Sequence, residues 1–284
     1  MNNKKEIEKL LEKNNLNIDD VIVLNNRYIL QEEIDSGGLS IVYKAIDIYN
    51  EYFNDESNIV IKIPNENLRK KKDINAFVYS EYKFLRKLNH ENIVKIYDFA
   101  VDKKTKIPYI VLEYISGEKL INESIYAMNK KSKNIMFYEL FNTLKYIHKN
   151  NIIHADINPY NIMKEDDKYT IFDFGVSQNE SKHEKFNLQY DNVKAFNPLY
   201  SSPEVLNGEK PSKYSDIFSF ACVMYEIYTK KQIFKESSLE LLDNKNLITK
   251  NNAIPLILRS WFKSALSIHK EDRNLDINFI KYLV

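Results

Sequence analysis

Residues 152–175 read IIHADINPYNIMKEDDKYTIFDFG. Asp156 is followed five positions on by Asn161, and then, inside an apolar run, by Asp173, Phe174 and Gly175. Two carboxylates and a carboxamide, each beside a short strand-like run, suit a centre that positions a nucleophile and holds metal ions. That is the layout of a phosphoryl-transfer site, where positioning and charge neutralisation do most of the catalysis. Taken alone, the stretch also reads as a polar hairpin loop that happens to carry acids. The surrounding chain decides between the two.

With 284 residues the chain can bury a sizeable core, as one bilobal unit or two small domains. Its 41 basic and 40 acidic side chains leave a formal charge of +1, so no global field points to nucleic acid or a membrane surface. The single Cys excludes an internal disulfide and a four-thiolate zinc site, and it fits a reducing compartment. No apolar run has the length of a membrane span, and the N-terminus opens onto a charged helix rather than a signal peptide. The expectation is a soluble, cytoplasmic protein. Glycine occurs only at 37, 38, 117, 175 and 208, and each is expected to mark positive φ or the close approach of a ligand to the backbone.

Residues 3–14 form an amphipathic helix candidate with Ile7, Leu10 and Leu11 on one face. Strand patterns follow at 28–34, 41–47, 58–63, 93–101 and 109–114, with a polar loop expected at 48–57. Helical spacing returns at 74–88, through Phe77, Val78, Phe84, Leu85 and Leu88. Beyond Gly117 the helices take over, at 134–149, 217–228, 255–267 and 277–283. Strands first and helices afterwards is an α+β pattern, with its boundary near 115–117.

The first hairpin, IDSGGLSIVYKA at 34–45, puts small residues between two strands, so that backbone N–H groups can approach phosphate oxygens. Hairpins use Gly routinely, so this alone is weak. The strand IVIK at 59–62 ends on Lys62, and Glu81, in the following helix, can swing in to pair with it.

Together these segments resemble the eukaryotic-type protein kinase domain, and the Gly-Gly-Leu-Ser loop resembles bacterial Hanks-type kinases in particular. The resemblance runs in order from about residue 28 to the C-terminus. It implies a protein-kinase-like bilobal fold: a helical extension at 1–26, a β-rich N-lobe at 27–115 and a helical C-lobe at 116–284. Gly37, Val42 and Ala45 match the glycine-rich loop, Lys62 the phosphate-anchoring Lys, and Glu81 its helix partner. Glu113, Tyr114 and Ile115 resemble the adenine-binding hinge, behind Leu112 as gatekeeper. His154, Asp156 and Asn161 match the catalytic loop, as its His, its base and its metal-binding Asn. Asp173-Phe174-Gly175 matches the magnesium-binding triplet. The nucleotide-binding set so implied is Ile34, Gly37, Gly38, Val42, Val60, Lys62, Glu113, Ile115 and Met163. Ser202-Pro203-Glu204, Asp216 and Arg273 match the scaffold, with His154, Phe174 and Leu85 as packing and Cys222 buried and inert.

The departures are specific. Asp35 and Ser40 replace two loop glycines, and Val60 replaces the usual Ala over adenine. Ala155 stands where a phosphate-answering Arg is usual, and no Thr lies between Gly175 and Pro203. Asn158 replaces the Lys that contacts the γ-phosphate. Losing one preorganised stabiliser of this kind costs on the order of 10²–10³ in rate. The resemblance implies a Ser/Thr protein kinase using ATP and Mg²⁺ (or Mn²⁺), with reduced activity through Asn158. Its partners would be ATP and a protein substrate, with no nucleic acid and no membrane span. Alternatives are a nucleotide-binding pseudokinase acting as scaffold or switch and, behind it, a small-molecule phosphotransferase.

Overall fold

β-Branched and aromatic residues alternate or run together through 28–64 and 96–113, a composition that fits a pleated, buried surface. In the computed structural model of the chain they form one antiparallel sheet of six strands. The structure describes residues 3–13, 21–55, 58–121, 123–180, 196–242, 252–277 and 280–283. The chain divides into two compact units, Met1–Arg86 with Val94–Ile115, and Lys87–Ile93 with Ser116–Val284.

The first unit runs α1 (Asn3–Lys13), β1 (Val23–Leu24), β2 (Tyr28–Ser36), β3 (Ser40–Asp47), α2 (Ile48–Phe53), β4 (Ile59–Pro64), α3 (Glu66–Arg69), α4 (Ile74–Leu85), β5 (Ile96–Val101) and β6 (Pro108–Glu113). Its sheet order is β1-β2-β3-β4-β6-β5. Alternation along β2 sends Tyr28 and Leu30 into one core, with Ile59, Ile61 and Val111. Ile29 goes to another, where Ile7, Leu10 and Leu11 of α1 pack against it with Ile46 and Ile48. Each such aliphatic side chain contributes about 1.5–3 kcal/mol on full burial.

The expected loop at 48–57 is instead partly helical. Asp47 accepts the N–H of Tyr49 at 3.0 Å and caps α2, Asn54 ends it at φ 56°, and Ile48 is its buried anchor. Asp47 also takes a bidentate contact from Arg27, with Nη2 at 2.7 Å, which ties the helix start to the base of β2. α4, expected over 74–88, ends at Leu85.

The second unit runs β7 (Glu118–Lys119), α5 (Glu123–Ala127), α6 (Lys130–Lys149), β8 (Ile152–Ile153), β9 (Ile162–Glu165), β10 (Lys168–Ile171), β11 (Gln178–Asn179), α7 (Pro203–Leu206), α8 (Lys213–Thr229) and α9 (Leu256–Ala265). Asn129 caps α6 by accepting the Ser132 N–H at 2.9 Å, so the helix begins at Lys130, ahead of the apolar stripe that predicted it. α8 likewise starts earlier than its apolar run, at Lys213, and is buried almost all round. Phe137 of α6 meets Phe220 of α8 and Trp261 of α9, both at 5.2 Å between ring centroids, which makes an aromatic core. The terminal segment predicted as a helix holds only a 3₁₀ turn, Ile280–Tyr282, among the described residues.

Candidate functional site

β8 carries the chain into the decisive stretch through Ile152 and Ile153, both buried, and pairs with β11. The next turn needs an unusual backbone: Ala155 lies at φ 71°, a region that costs a non-glycine residue about 1–3 kcal/mol. Asp216 of α8 holds it there. Its Oδ1 accepts the Ala155 N–H at 2.8 Å, and its Oδ2 accepts the His154 N–H at 2.9 Å and lies 2.8 Å from His148 Nε2. The loop closes on a 3₁₀ turn, Pro159–Asn161, whose N-cap is Asn158, accepting the Tyr160 N–H at 2.9 Å.

His154 is fully buried and packs at a tilt against Phe174, with ring centroids 4.6 Å apart. Its Nδ1 accepts the Asp156 N–H at 3.3 Å, so Nε2 carries the proton and donates to the Phe172 carbonyl at 3.2 Å. Burial holds this imidazole below its usual range, against the charges of Asp216 and Asp173. Its role is to pack and to tie two loops together, as the sequence expected.

Asp156 is held from both sides. Asn158 Nδ2 donates to Oδ1 at 2.8 Å and to the Asp156 carbonyl at 3.2 Å. Asn161 Nδ2 donates to Oδ2 at 2.7 Å and to the same carbonyl at 2.9 Å. Burial first, and then the charge of Asp173, push this carboxyl up to about 7, although the two carboxamides pull the other way. Asp173 itself sits at φ 61°, with its Oδ1 accepting the Gly175 N–H at 3.2 Å. The structure therefore brings together Asp156, Asn161 and Asp173, which the sequence had singled out.

This donor set fits a hard divalent cation. Two carboxylates repel each other here, a conflict that a cation relieves. With its nitrogen given to Asp156, Asn161 has a side-chain oxygen that suits a hard cation, as does the Asp173 carboxylate. Mg²⁺ is typically bound in this way, by one or two carboxylates plus phosphates and water. Among the described residues no group of three or more His, Cys, Asp and Glu side chains makes a self-sufficient metal cage.

The first unit carries the other predicted residues. Lys62 on β4 and Glu81 on α4 form a buried bidentate pair, Nζ to Oε1 at 2.8 Å and to Oε2 at 3.0 Å. Such a pair is costly to bury and destabilising to break. Val42 stands opposite Lys62 in the sheet, and Val60 opposite Leu112. Ile34 is exposed on β2, and Ile115, half-buried, follows β6. Glu113 uses its carboxylate to accept the Lys95 N–H at 2.7 Å. Met163, in the second unit, is half-buried on β9 and pairs with Thr170 and Lys119.

At the hairpin tip, an added Cβ at Gly37 or Gly38 would meet nothing within 4 Å, and neither residue has positive φ. The expected positive φ is thus absent from both, and the open space beside them is compatible with the expected close approach of a ligand. Positive φ is found at Gly208, at 94°, and Gly117 is needed for a different reason, since a Cβ there would overlap the Lys164 carbonyl. Sequence reasoning missed Asn65, whose Nδ2 donates to the Gly38 carbonyl at 2.7 Å and whose N–H donates to Leu39 O at 3.0 Å. Its oxygen caps α3 by accepting the Leu68 N–H at 3.0 Å, and that cap was the one readable signal.

The scaffold expectations hold. Arg273 is completely buried and grips Glu204 through Nη1 and Nη2 at 2.7 and 2.8 Å, while also donating to the carbonyls of Ser267, Tyr214 and Ile268. A second buried acid, Glu226, accepts the hydroxyls of Tyr126 and Tyr200 and was not anticipated. Cys222 is buried, and burial pushes its thiol well above the usual range. Among the described residues no helix is long and apolar enough to cross a membrane.

Comparison with known proteins bears on this geometry directly. The protein kinase domain model matches residues 28–276. The chain is similar to a probable serine/threonine-protein kinase of Clostridium acetobutylicum, 34% identical over 218 residues that cover 74% of this chain and 31% of that protein. It is also similar to the serine/threonine-protein kinase tousled-like 2 of Mus musculus, 28% identical over 298 residues (95% of this chain, 40% of that protein). The probable serine/threonine-protein kinase PknB of Bifidobacterium longum is 27% identical over 261 residues (87% and 37%). The chain thus spans less than half the length of these curated relatives. A match over so much of the chain, on an α+β fold with a six-stranded antiparallel sheet in one unit and a largely helical second unit, places this protein in the protein kinase domain family.

Proposed function

We propose that the chain is an ATP-dependent serine/threonine protein kinase whose catalytic loop lacks both the customary Arg, at Ala155, and the customary Lys, at Asn158. The observation that carries this reading is Asp156, held on both carboxylate oxygens beside Asp173. The names of the relatives supply the Ser/Thr class. In this reading Asp156 touches the acceptor hydroxyl, orients it and takes its proton, a task suited to a group poised near neutral pH. Asn161 and Asp173 hold Mg²⁺ or Mn²⁺, which would neutralise charge on the phosphate oxygens.

Lys62, fixed by Glu81, binds the α- and β-phosphates, and the backbone around Gly37 and Gly38 covers them. Ile34, Val42, Val60 and Met163 flank the adenine, and the backbone of Glu113 and Ile115 pairs with its edge. Residues 1–26 are read as a helical extension, 27–115 as the N-lobe and 116–284 as the C-lobe of the kinase domain. Ser202-Pro203-Glu204, anchored by Arg273, is the feature that favours a protein over a small-molecule acceptor.

A nucleotide-binding pseudokinase is the second reading, favoured by Asn158, Asp35 and Ser40. The two separate in one assay. The purified chain, γ-labelled ATP, Mg²⁺ or Mn²⁺ and a generic protein acceptor should yield phosphoserine or phosphothreonine, lost in Asp156→Asn. A rise in melting temperature with ATP but no transfer would establish the pseudokinase instead.

A further inference from the structure

Asn158 appears in the sequence as a missing cation, yet in the fold it is far from idle. Its side chain is almost fully buried, at 4% exposure, and uses both ends of its carboxamide. The oxygen accepts the Tyr160 N–H, and the nitrogen forks between the Asp156 carboxylate and the Asp156 carbonyl. Asn161 forks in the same way from the other side. A Lys at 158 has donors but no acceptor, so it cannot do both jobs. The two carboxamides reach different oxygens of one carboxylate and the same main-chain carbonyl. Both side-chain torsions of Asp156 are thereby fixed before any substrate arrives.

We infer that Asn158 is a positioning residue for Asp156, one half of a twin-carboxamide bracket that replaces the charge of a Lys with orientation of the base. The inference rests on the kinase reading above and says which step Asn158 serves. A bracket of this kind acts on turnover and leaves the affinity for ATP alone. Misplacing a reacting group by about 1 Å costs on the order of 100-fold.

A four-variant series tests it, because each substitution keeps a different part of the carboxamide. Asn158→Ala keeps neither function and Asn158→Asp keeps only the acceptor that caps Tyr160. Asn158→Ser keeps a shorter donor and acceptor, and Asn158→Lys supplies the cation. Kinetics on variants shown by melting to be folded should give a kcat about 100-fold lower for Ala and Asp, with the KM for ATP within about twofold of wild type. Ser should recover much of the loss, and Lys should not exceed wild type.

A pure capping role predicts a different order, with Asp matching Ser. That outcome, or a tenfold gain in Asn158→Lys, overturns the inference. If the wild-type chain transfers no phosphate at all, the kinase reading fails, and the bracket is then judged by NMR. The Asn158 side-chain carboxamide signals should shift in Asp156→Ala if the bracket exists. Unmoved signals would overturn it.

Discussion

The hairpin at residues 35–40, with Asp35 and Ser40, and the loop at 154–161 both depart from the protein kinase pattern, but they are built in opposite ways. Its tip, residues 36–38, is exposed, is closed by a Gly37 N–H to Ser40 O bond of 2.9 Å, and is held from outside by Asn65. In the second loop His154, Asp156, Asn158 and Asn161 are all hydrogen-bonded, and a buried carboxylate from α8 holds the backbone in a left-handed turn. A substitution at the tip is absorbed by open space. In the clamped loop a substitution must be answered by its neighbours, and Asn158 has been answered by Asp156 and Tyr160.

The contrast breaks most visibly at its anchor. Asp216→Ala should remove two contacts to the clamped loop and a third to His148 of α6 at once, and destabilise the fold by about 3–5 kcal/mol, the range for breaking buried charged networks. Urea denaturation measures it, and a loss under about 1 kcal/mol would mean that the turn is held by something else. Arg273→Ala should cost a similar amount by leaving Glu204 buried without its partner. Burial raises the Glu204 carboxyl, but the Arg273 hydrogen bonds and charge outweigh it and hold the group below the usual range. Its stabilising share is therefore present above the ordinary carboxylate pKa and disappears as the pH falls through the lowered one. His154, also depressed, loses its share as the pH falls below its ordinary imidazole value. Wild type and Arg273→Ala should therefore converge in stability in acid.

The glycines give intermediate and small effects. Gly117→Ala drives a methyl into the Lys164 backbone and should cost about 1–3 kcal/mol, measured as a drop in melting temperature. Asn65→Ala removes a cap and the Gly38 contact. About 1 kcal/mol of stability should go, and the KM for ATP should rise several-fold. Gly37→Ala should change stability by less than about 0.5 kcal/mol, since its methyl meets nothing. Any penalty there should appear in the KM for ATP, and a large loss of melting temperature would show the tip to be as constrained as the clamped loop.

The strand-first, helix-later order was legible because β2, β3, β4 and β6 carry β-branched runs, and α6, α8 and α9 carry apolar stripes. α2 was not, because six residues with one buried Ile look like a polar loop unless Asp47 is read as a cap. The helix expected over 277–283 falls partly outside the described residues, and the described part holds a 3₁₀ turn at 280–282. The Lys62–Glu81 pair, and Asp156, Asn161 and Asp173 as one cluster, were singled out by spacing and by the resemblance to protein kinases. What Asn158 does with its carboxamide was not, because its partners depend on a turn fixed by Asp216, some sixty residues downstream. Asn65 has the same character. Its cap is local and readable, while its bond to Gly38 spans 27 positions.

Phosphoryl transfer by the isolated chain, compared with an Asp173→Asn variant of matched melting temperature, tests the central claim most directly. With labelled ATP and Mg²⁺ or Mn²⁺, wild type should label itself or a protein acceptor, and the variant should lose that labelling by a factor of about 10³ or more. Equal labelling by the two proteins, or none by wild type, would contradict the account.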